Sequence, residues 1–272
     1  MEDTADTGTA RTDSPTPARP LLSLVVITKN EAQRLAACLA SVPFAGEIVV
    51  VDSGSADGTP ELARRLGARV IETADWPGFG PQKNRALDAA TGDWVLSLDA
   101  DERVSPRLAA QIRHVVLEGG GGTAAPAAYT LSRLSSFAGQ WMRHGDWYPD
   151  PVLRLFRRGA ARFSDDAVHE RVVCDGPLGH LDGHLLHDSI ATLDDCVAKM
   201  NRYSSARALQ LRWRGRRGGL AAAIGHGVWA FVRSYIVRRG FLDGAMGFVL
   251  AVSAAEGTYY SYLKASLPPA AE

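Results

Sequence analysis

Four things are scarce or missing, and each removes a class of protein. Cysteine is nearly absent: Cys38, Cys174 and Cys196 are odd in number and far apart. That spacing offers neither a disulfide framework nor a structural zinc site, and it fits a reducing cytoplasm. No phosphate-cradling GxxxxGK[ST] loop and no GxGxxG dinucleotide fingerprint occurs. The first twenty residues hold no apolar run and are rich in Thr, Asp, Pro and Ala, which predicts a disordered tail and no signal peptide. Net charge is missing too: 30 Lys and Arg balance 30 Asp and Glu, so the total points to no partner.

What is present begins with an apolar share of 46% in 272 residues. That suits one catalytic-size domain with a C-terminal appendage. From Leu21, apolar runs alternate with helical stretches. LLSLVVI (21–27) stops at Thr28-Lys29-Asn30-Glu31, EIVVVD (47–52) stops at Asp52, and ARVIE (68–72) is a third short strand. Between them Leu35, Cys38 and Leu39 form the stripe of one helix, and Thr59-Pro60 opens another. A helix over 81–90 carries Gln82, Lys83 and Asn84 near its start. The strand in DWVLSLDADE (93–102) ends in Asp99, Asp101 and Glu102. This alternation predicts a parallel α/β sheet, whose ligands bind beyond the carboxyl ends of the strands. Thr28 to Glu31, Asp52 and the 99–102 acids all fall there, so one site is expected. Asp99 and Asp101, two apart at a strand end, can direct their carboxylates at one hard cation. Mg2+ takes a few carboxylates plus substrate phosphate oxygens. Such a metal neutralises charge on a diphosphate leaving group. Taken alone, a DxD reads first as a solvated acidic turn, and it is the rest of the chain that favours the metal.

Beyond a helix at about 105–117 and a glycine run at 119–122 the pattern loosens. Residues 127–137 alternate as a strand with one exposed face, and 141–158 mix aromatics, charges and prolines like a pocket wall. Asp165, Asp166, His169 and Glu170 cluster in 161–173. His180, His184 and His187 have a spacing that mimics a helical metal face, but the Gly and Leu around them argue against a helix and so against zinc. From Val197 to Leu242 there is no acid, while Lys199 and nine arginines give a local charge of +10. Basic, aromatic and apolar residues mixed in this way fit a helical segment on an anionic membrane surface. A packed helical pair with a solvated basic face and a nucleic-acid surface are the other readings. The apolar part, broken by His226 and Arg233, reads as too short to span a bilayer. The expected organisation is a tail (1–20), a catalytic domain (21–190) with a nucleotide-binding half (21–118) and an acceptor half (123–190), a basic amphipathic helical segment (191–265) and a tail (266–272).

VITKNE (26–31), VVVDSGSADGT (49–59), QKNRA (82–86), LSLDADE (96–102) and VHE (168–170) together resemble the family 2 glycosyltransferases, and among them the lipopolysaccharide core glucosyltransferase type. The resemblance covers about 21–265. It implies a GT-A fold, inversion at the anomeric carbon and a divalent metal, Mg2+ or Mn2+. It implies a UDP-hexose donor and, as acceptor, a hydroxyl of an envelope glycan or glycolipid such as lipopolysaccharide core. It further implies a cytoplasmic enzyme, peripheral on the inner membrane through its basic segment, with no nucleic-acid partner.

Carried over residue by residue, Thr28, Asn30 and Glu31 match the loop that reaches ribose and base, with helix capping as the plainer role. Asp52 matches the carboxylate that accepts the N–H of a uracil. Lys83 and Asn84 match a basic-polar pair near the phosphates; a solvated helix start is their alternative. Asp99 resembles the ribose or metal-adjacent acid, Asp101 the direct metal ligand, and His187 a histidine completing that site. Glu102 is expected to support the loop. Glu170 is the expected base, with Asp166 in reserve and His169 orienting it or binding acceptor. Trp147, Tyr148 and Asp150 are expected at the sugars. Arg154 meets a phosphate or forms a salt bridge. A nucleotidyltransferase is the second reading, but its Gly-rich, Arg-containing triphosphate loop is missing, since 28–31 is TKNE. A sugar-nucleotide-binding protein without turnover is the third; the intact acidic set argues against it.

Overall fold

Leu22, Leu24 and Val26 face one side of the first strand and Val25 the other, as the pleat requires. All four are buried, so the strand needs cover on both faces. The computed structural model, which describes residues 21–117, 125–164, 171–216 and 218–267, supplies it. Strands β1 (Leu22–Thr28), β2 (Glu47–Asp52), β3 (Arg69–Glu72) and β4 (Trp94–Asp99) pair in parallel in the order β3-β2-β1-β4. Helices α1 (Ala32–Ala40) and α4 (Pro106–Leu117) cover one face through Leu35, Leu39, Leu108 and Ile112. Helix α3 (Phe79–Ala89) covers the other with Ala86 and Leu87. A short helix α2 (Thr59–Arg65) links β2 to β3 and buries Ala63.

The sheet does not stop at β4. It continues through β8 (Asp150–Arg157), β6 (Ala128–Phe137) and β11 (Leu178–Ile190) to β5 (Glu102–Val104), with a short β7 (Gln140–Trp141) on β6, nine strands in all. β8 runs antiparallel to both β4 and β6, so the predicted parallel sheet is a mixed one. A separate ribbon pairs β9 (Ala161–Phe163) with β10 (Val172–Cys174). Residues 127–137 depart from the expected half-exposed strand. β6 lies between β8 and β11, and its residues are buried or half-buried, with Tyr129 and Leu131 in one core cluster, Ala128 in a second and Phe137 in a third. His180, His184 and His187 sit on strand β11, as their Gly and Leu neighbours predict.

The C-terminal segment is helical. Thr192 and Asp195 form a reciprocal capping box that starts α5 (Leu193–Trp213). Helix α6 (Leu220–Phe231) runs on into a π-helical turn at Val232–Val237, and α7 (Gly244–Ser266) packs back on both long helices. Small residues Ala223, Gly227 and Ala230 form the buried stripe of α6. A Cβ at Gly227 would lie 3.3 Å from Ala255 O. Asp243 ties this unit to the turn after β7: its carboxylate accepts from the backbone N–H of Arg143 and His144, at 3.0 and 2.8 Å, and from His144 Nδ1 at 2.8 Å. One sequence expectation is corrected here. α6 and the π-turn join into one helix over Leu220–Val237, long and apolar enough by length and composition to cross a membrane.

The His-bearing strand depends on one close approach. A Cβ on Gly183 would sit 2.6 Å from the Leu108 backbone, at the register shift of β11 between Leu181 and His184. Gly183→Ala should therefore force β11 away from α4. The expected loss is about 1–3 kcal/mol, read as a lower urea midpoint at constant slope.

Candidate active site

The loops that follow β1 and β2 are stapled to each other before any ligand arrives. Asn30 adopts a left-handed φ of 58°; its N–H donates to Ser55 Oγ at 2.7 Å and its Oδ1 accepts from Ala56 N at 2.9 Å. Glu31 N donates to Thr59 Oγ1 and Ala32 N to Asp57 Oδ2. The carboxylate of Asp52, fully buried at the end of β2, accepts from Thr28 Oγ1 at 2.8 Å, Ser55 N at 2.8 Å and Ser55 Oγ at 2.5 Å. A buried carboxylate needs such donors.

At the end of β4 a charged network crosses the sheet. Lys83 of α3 reaches Asp99 Oδ1 at 2.9 Å and lies over the Phe163 ring. Arg154 Nη2, on β8, donates to Asp99 Oδ2 at 2.5 Å and to Glu102 Oε1 at 2.8 Å. Arg133 of β6 adds Asp150 at 2.7 Å and Glu102 at 3.5 Å. Glu102 is fully buried and also accepts from the Asp99 N–H at 3.0 Å, so it braces the turn. Burial works against the charge on Asp99, but Arg154 and Lys83 outweigh it and hold its carboxyl far below the usual carboxylate range. Burial pushes the Glu31 carboxyl up; Arg34 opposes this, and Asp101, Asp57 and Asp99 add to the rise.

One step further along the turn, Asp101 faces His187 with Oδ2 and Nε2 3.5 Å apart. Strand pairing sets this meeting: His187 lies opposite Glu102 on β5 and opposite Ser135 on β6. Ser135 Oγ is 2.9 Å from His187 Nδ1. With Nδ1–H donated to that hydroxyl, Nε2 turns a lone pair toward Asp101, the usual orientation of a metal-ligating histidine. Among the described residues no group of three or more His, Cys, Asp or Glu is arranged around a common metal position. A pair suits a cation that takes one or two protein ligands and fills its shell with water and phosphate oxygens. Thr28, Glu31, Lys83, Asp99, Asp101 and His187 all line one open cleft of about 710 Å3 beyond the ends of β1 and β4.

The comparisons with known proteins converge on this architecture. Residues 23–126 match the model of the family described as Glycosyl transferase family 2. An uncharacterised glycosyltransferase of Rickettsia typhi is 31% identical over 238 residues, covering 84% of this chain and 80% of its own. The lipopolysaccharide core biosynthesis glycosyltransferase LpsC of Rhizobium meliloti is 30% identical over 251 residues, with 90% of each chain covered. The chain belongs to glycosyl transferase family 2. Among solved structures, S. aureus TarS 1-349 overlays 90% of each chain at 14% identity with a TM-score of 0.47. The mixed α/β sheet agrees with the fold that the family resemblance implies.

Several residues of this glycosyltransferase lie where the sequence did not lead. Asn84 turns away from the cleft: its amide donates to Phe163 O at 2.9 Å and accepts from Phe163 N at 3.0 Å, anchoring β9 to α3. Arg154 takes the salt-bridge alternative, because β8 brings it beside two carboxylates. Trp147 packs on Phe137 in a small apolar cluster with Met142, Ile190 and Leu250, and so contacts the C-terminal helices. Asp150 pairs with Arg133. Asp166, His169 and Glu170 lie outside the described residues. Sequence reasoning missed Trp76, Phe79 and Tyr203, which also line the cleft. Trp76 and Phe79 carry a readable signal, two exposed aromatics in the Gly-Pro-rich stretch WPGFG (76–80). Tyr203 carries none, since it reaches the cleft from α5, more than a hundred residues later in the chain.

Removing the central cation tests the network. Arg154→Met leaves Asp99 and Glu102 short of a partner inside the protein. The expected destabilisation is about 3–5 kcal/mol by urea denaturation, well beyond that of a surface arginine change.

Proposed function

We propose that this enzyme moves a hexose from a UDP-sugar to a hydroxyl of a bacterial envelope glycolipid, with inversion at the anomeric carbon. The supporting observation is the single cleft that gathers Thr28, Glu31, Lys83, Asp99, Asp101 and His187 at the strand ends. The acceptor class rests on the likeness to LpsC, which acts in lipopolysaccharide core biosynthesis. In this reading Asn30 and Glu31 meet the ribose and base. An ionised carboxylate offers about four acceptor positions, and Thr28 and Ser55 take three on Asp52, which leaves one for a uracil N–H. Asp101 and His187 would hold the divalent ion, Mg2+ or Mn2+, which when bound neutralises charge on the leaving diphosphate. Lys83, pinned by Asp99, sets a fixed positive charge at the cleft floor. Glu170 takes the proton of the acceptor hydroxyl as that oxygen attacks the anomeric carbon. Asp166 stands in reserve and His169 orients the base, roles that rest on the VHE resemblance.

The test is UDP, ADP and GDP release from a panel of nucleotide sugars with Mn2+ or EDTA. One donor should turn over, and EDTA and Asp101→Ala should each abolish turnover. Glu170→Gln should lower acceptor-dependent turnover about 10^2- to 10^4-fold with UDP affinity kept. Loss of UDP binding in Glu170→Gln, or turnover untouched by EDTA, would overturn these assignments.

The cytoplasmic membrane surface is the proposed working place. Leu220, Ile224 and Val228 form an exposed stripe at helical spacing on α6, continued by Trp229, Ile236, Val237, Phe241 and Leu242. Exposed Arg214, Arg216 and Arg239 flank it, while Arg233 and Arg238 reach Asp146. The Ala223, Gly227 and Ala230 stripe packs on α7, so one side of the helix is left for lipid. An apolar stripe rimmed by arginines lies in the interface of an anionic membrane. Binding to vesicles with anionic phospholipid should exceed binding to neutral vesicles at least tenfold, and Trp229→Ser with Ile236→Ser should remove it in sedimentation assays. Equal binding to both vesicle types would contradict the arginine contribution.

A further inference from the structure

Trp76 and Phe79 line the cleft, yet they are 45% and 52% exposed. A single exposed apolar side chain is ordinary, but two touching rings at the mouth of a cleft are the lining that ligand pockets use. The turn that carries them is held at both ends. Thr73 N and Oγ1 donate to Asp52 O at 2.9 and 3.1 Å. Gln82 Nε2 donates to Thr73 Oγ1 at 2.8 Å and to Ser53 Oγ at 2.9 Å. Arg85 closes a forked pair on Asp75, at 2.9 and 2.6 Å. These bonds set the turn beside the end of β2, where Asp52 lies. The two rings meet edge to face, with centroids 4.9 Å apart and planes at 89°. Each ring therefore keeps at least one face clear of the other. Among the described residues no cation and no third aromatic ring covers either of them. Sheet order decides which part of a ligand arrives here. The strands run β3-β2-β1-β4; the Asp101–His187 pair lies past the end of β4, and the Trp76 turn follows β3. A nucleoside diphosphate with its phosphates at Asp101 extends back across the end of β1, past Thr28, toward β2 and β3. Its base comes last, on the side of the aromatic pair.

We propose that Trp76, with Phe79 set against it, is the stacking platform for the nucleobase of the donor. The proposal rests on the transferase reading above and deepens it by giving the base a second contact. The two contacts divide the work. Stacking tolerates any base, because every base has a π face. The free acceptor position on Asp52 reads the edge of the base instead. Trp76 thus supplies affinity, and Asp52 supplies the choice of uracil.

Calorimetric titration of the full chain with Mn2+ tests this, with UDP, UDP-glucose and inorganic pyrophosphate as probes. Replacing a base-stacking aromatic by alanine weakens binding about five- to 150-fold. Trp76→Ala should accordingly weaken UDP at least fivefold and leave pyrophosphate within twofold. Trp76→Phe should keep UDP within threefold of the unaltered protein, because a flat ring remains. Tryptophan fluorescence supplies a signature that a merely structural role would not move. UDP should quench the emission of the unaltered protein, and that quenching should fall away in Trp76→Phe although UDP still binds. Circular dichroism checks the fold of each variant. Absence of UDP binding in the unaltered protein overturns the transferase reading itself. UDP binding that Trp76→Ala leaves within twofold overturns the platform alone. A loss confined to UDP-glucose gives the ring to the hexose, and an equal loss of UDP and pyrophosphate makes the turn a support of the whole cleft. Either result overturns the base assignment.

Discussion

A carboxylate drawn out of water must be matched by a cation or by donors, and at the end of β4 this protein sets a fully buried Glu102 beside a half-buried Asp99. The match is made across the molecule. Lys83 comes from helix α3 beside the parallel strands, and Arg154 and Arg133 come from the neighbouring strands β8 and β6 in the later half of the sheet. Neither half satisfies Asp99 and Glu102 alone. The acids that shape the candidate site are therefore also what joins the two halves, and Asp101 is left outside the network to face His187. Charge pairing holds Asp99 between Lys83 and Arg154 at the start of the turn on which Asp101 sits.

The parts of this arrangement that were legible in the sequence are those set by local pattern. Continuous apolar runs gave the four parallel strands, because short apolar runs between turn signals suit strands covered on both faces. Polar residues at the ends of those runs gave the placement of Thr28, Asp52 and Asp99. Helix α1 was read from Leu35, Cys38 and Leu39, which are its buried residues. What was not legible depends on neighbours distant in sequence. Asn84 reads as a phosphate contact until β9 arrives to take both ends of its amide. Trp147 reads as a sugar platform until Phe137 and Leu250 surround it. Residues 127–137 alternate like a strand with one exposed face, and their burial shows only once β6 lies between β8 and β11. Arg154 had two readings, and the antiparallel pairing of β8 with β4 chose between them.

The C-terminal helices show how a basic segment can be both surface and structure. Arg212 donates to the carbonyls of Lys264 and Ala265, and Arg233 and Arg238 reach Asp146, so some of the charge is used to hold the unit on the domain. Lys199 donates to Ser189 O near the end of β11, the strand that also carries His187 into the site. Tyr203 completes the cleft wall from the same helix as Lys199. The apolar face of α6 and the cleft are thus parts of one packed body.

The unbroken sheet has a mechanical meaning. β4 and β8 share a hydrogen-bonded ladder, with Leu96 opposite Leu155, so the two halves are woven together and no hinge line runs between them. The adaptable part of the cleft is therefore its rim, such as the exposed Trp76–Phe79 turn, while the strand ladder holds the floor. A scaffold of this kind accommodates new substrates by exchanging rim segments. Changes to the floor carry the cost of uncoupling its buried charges.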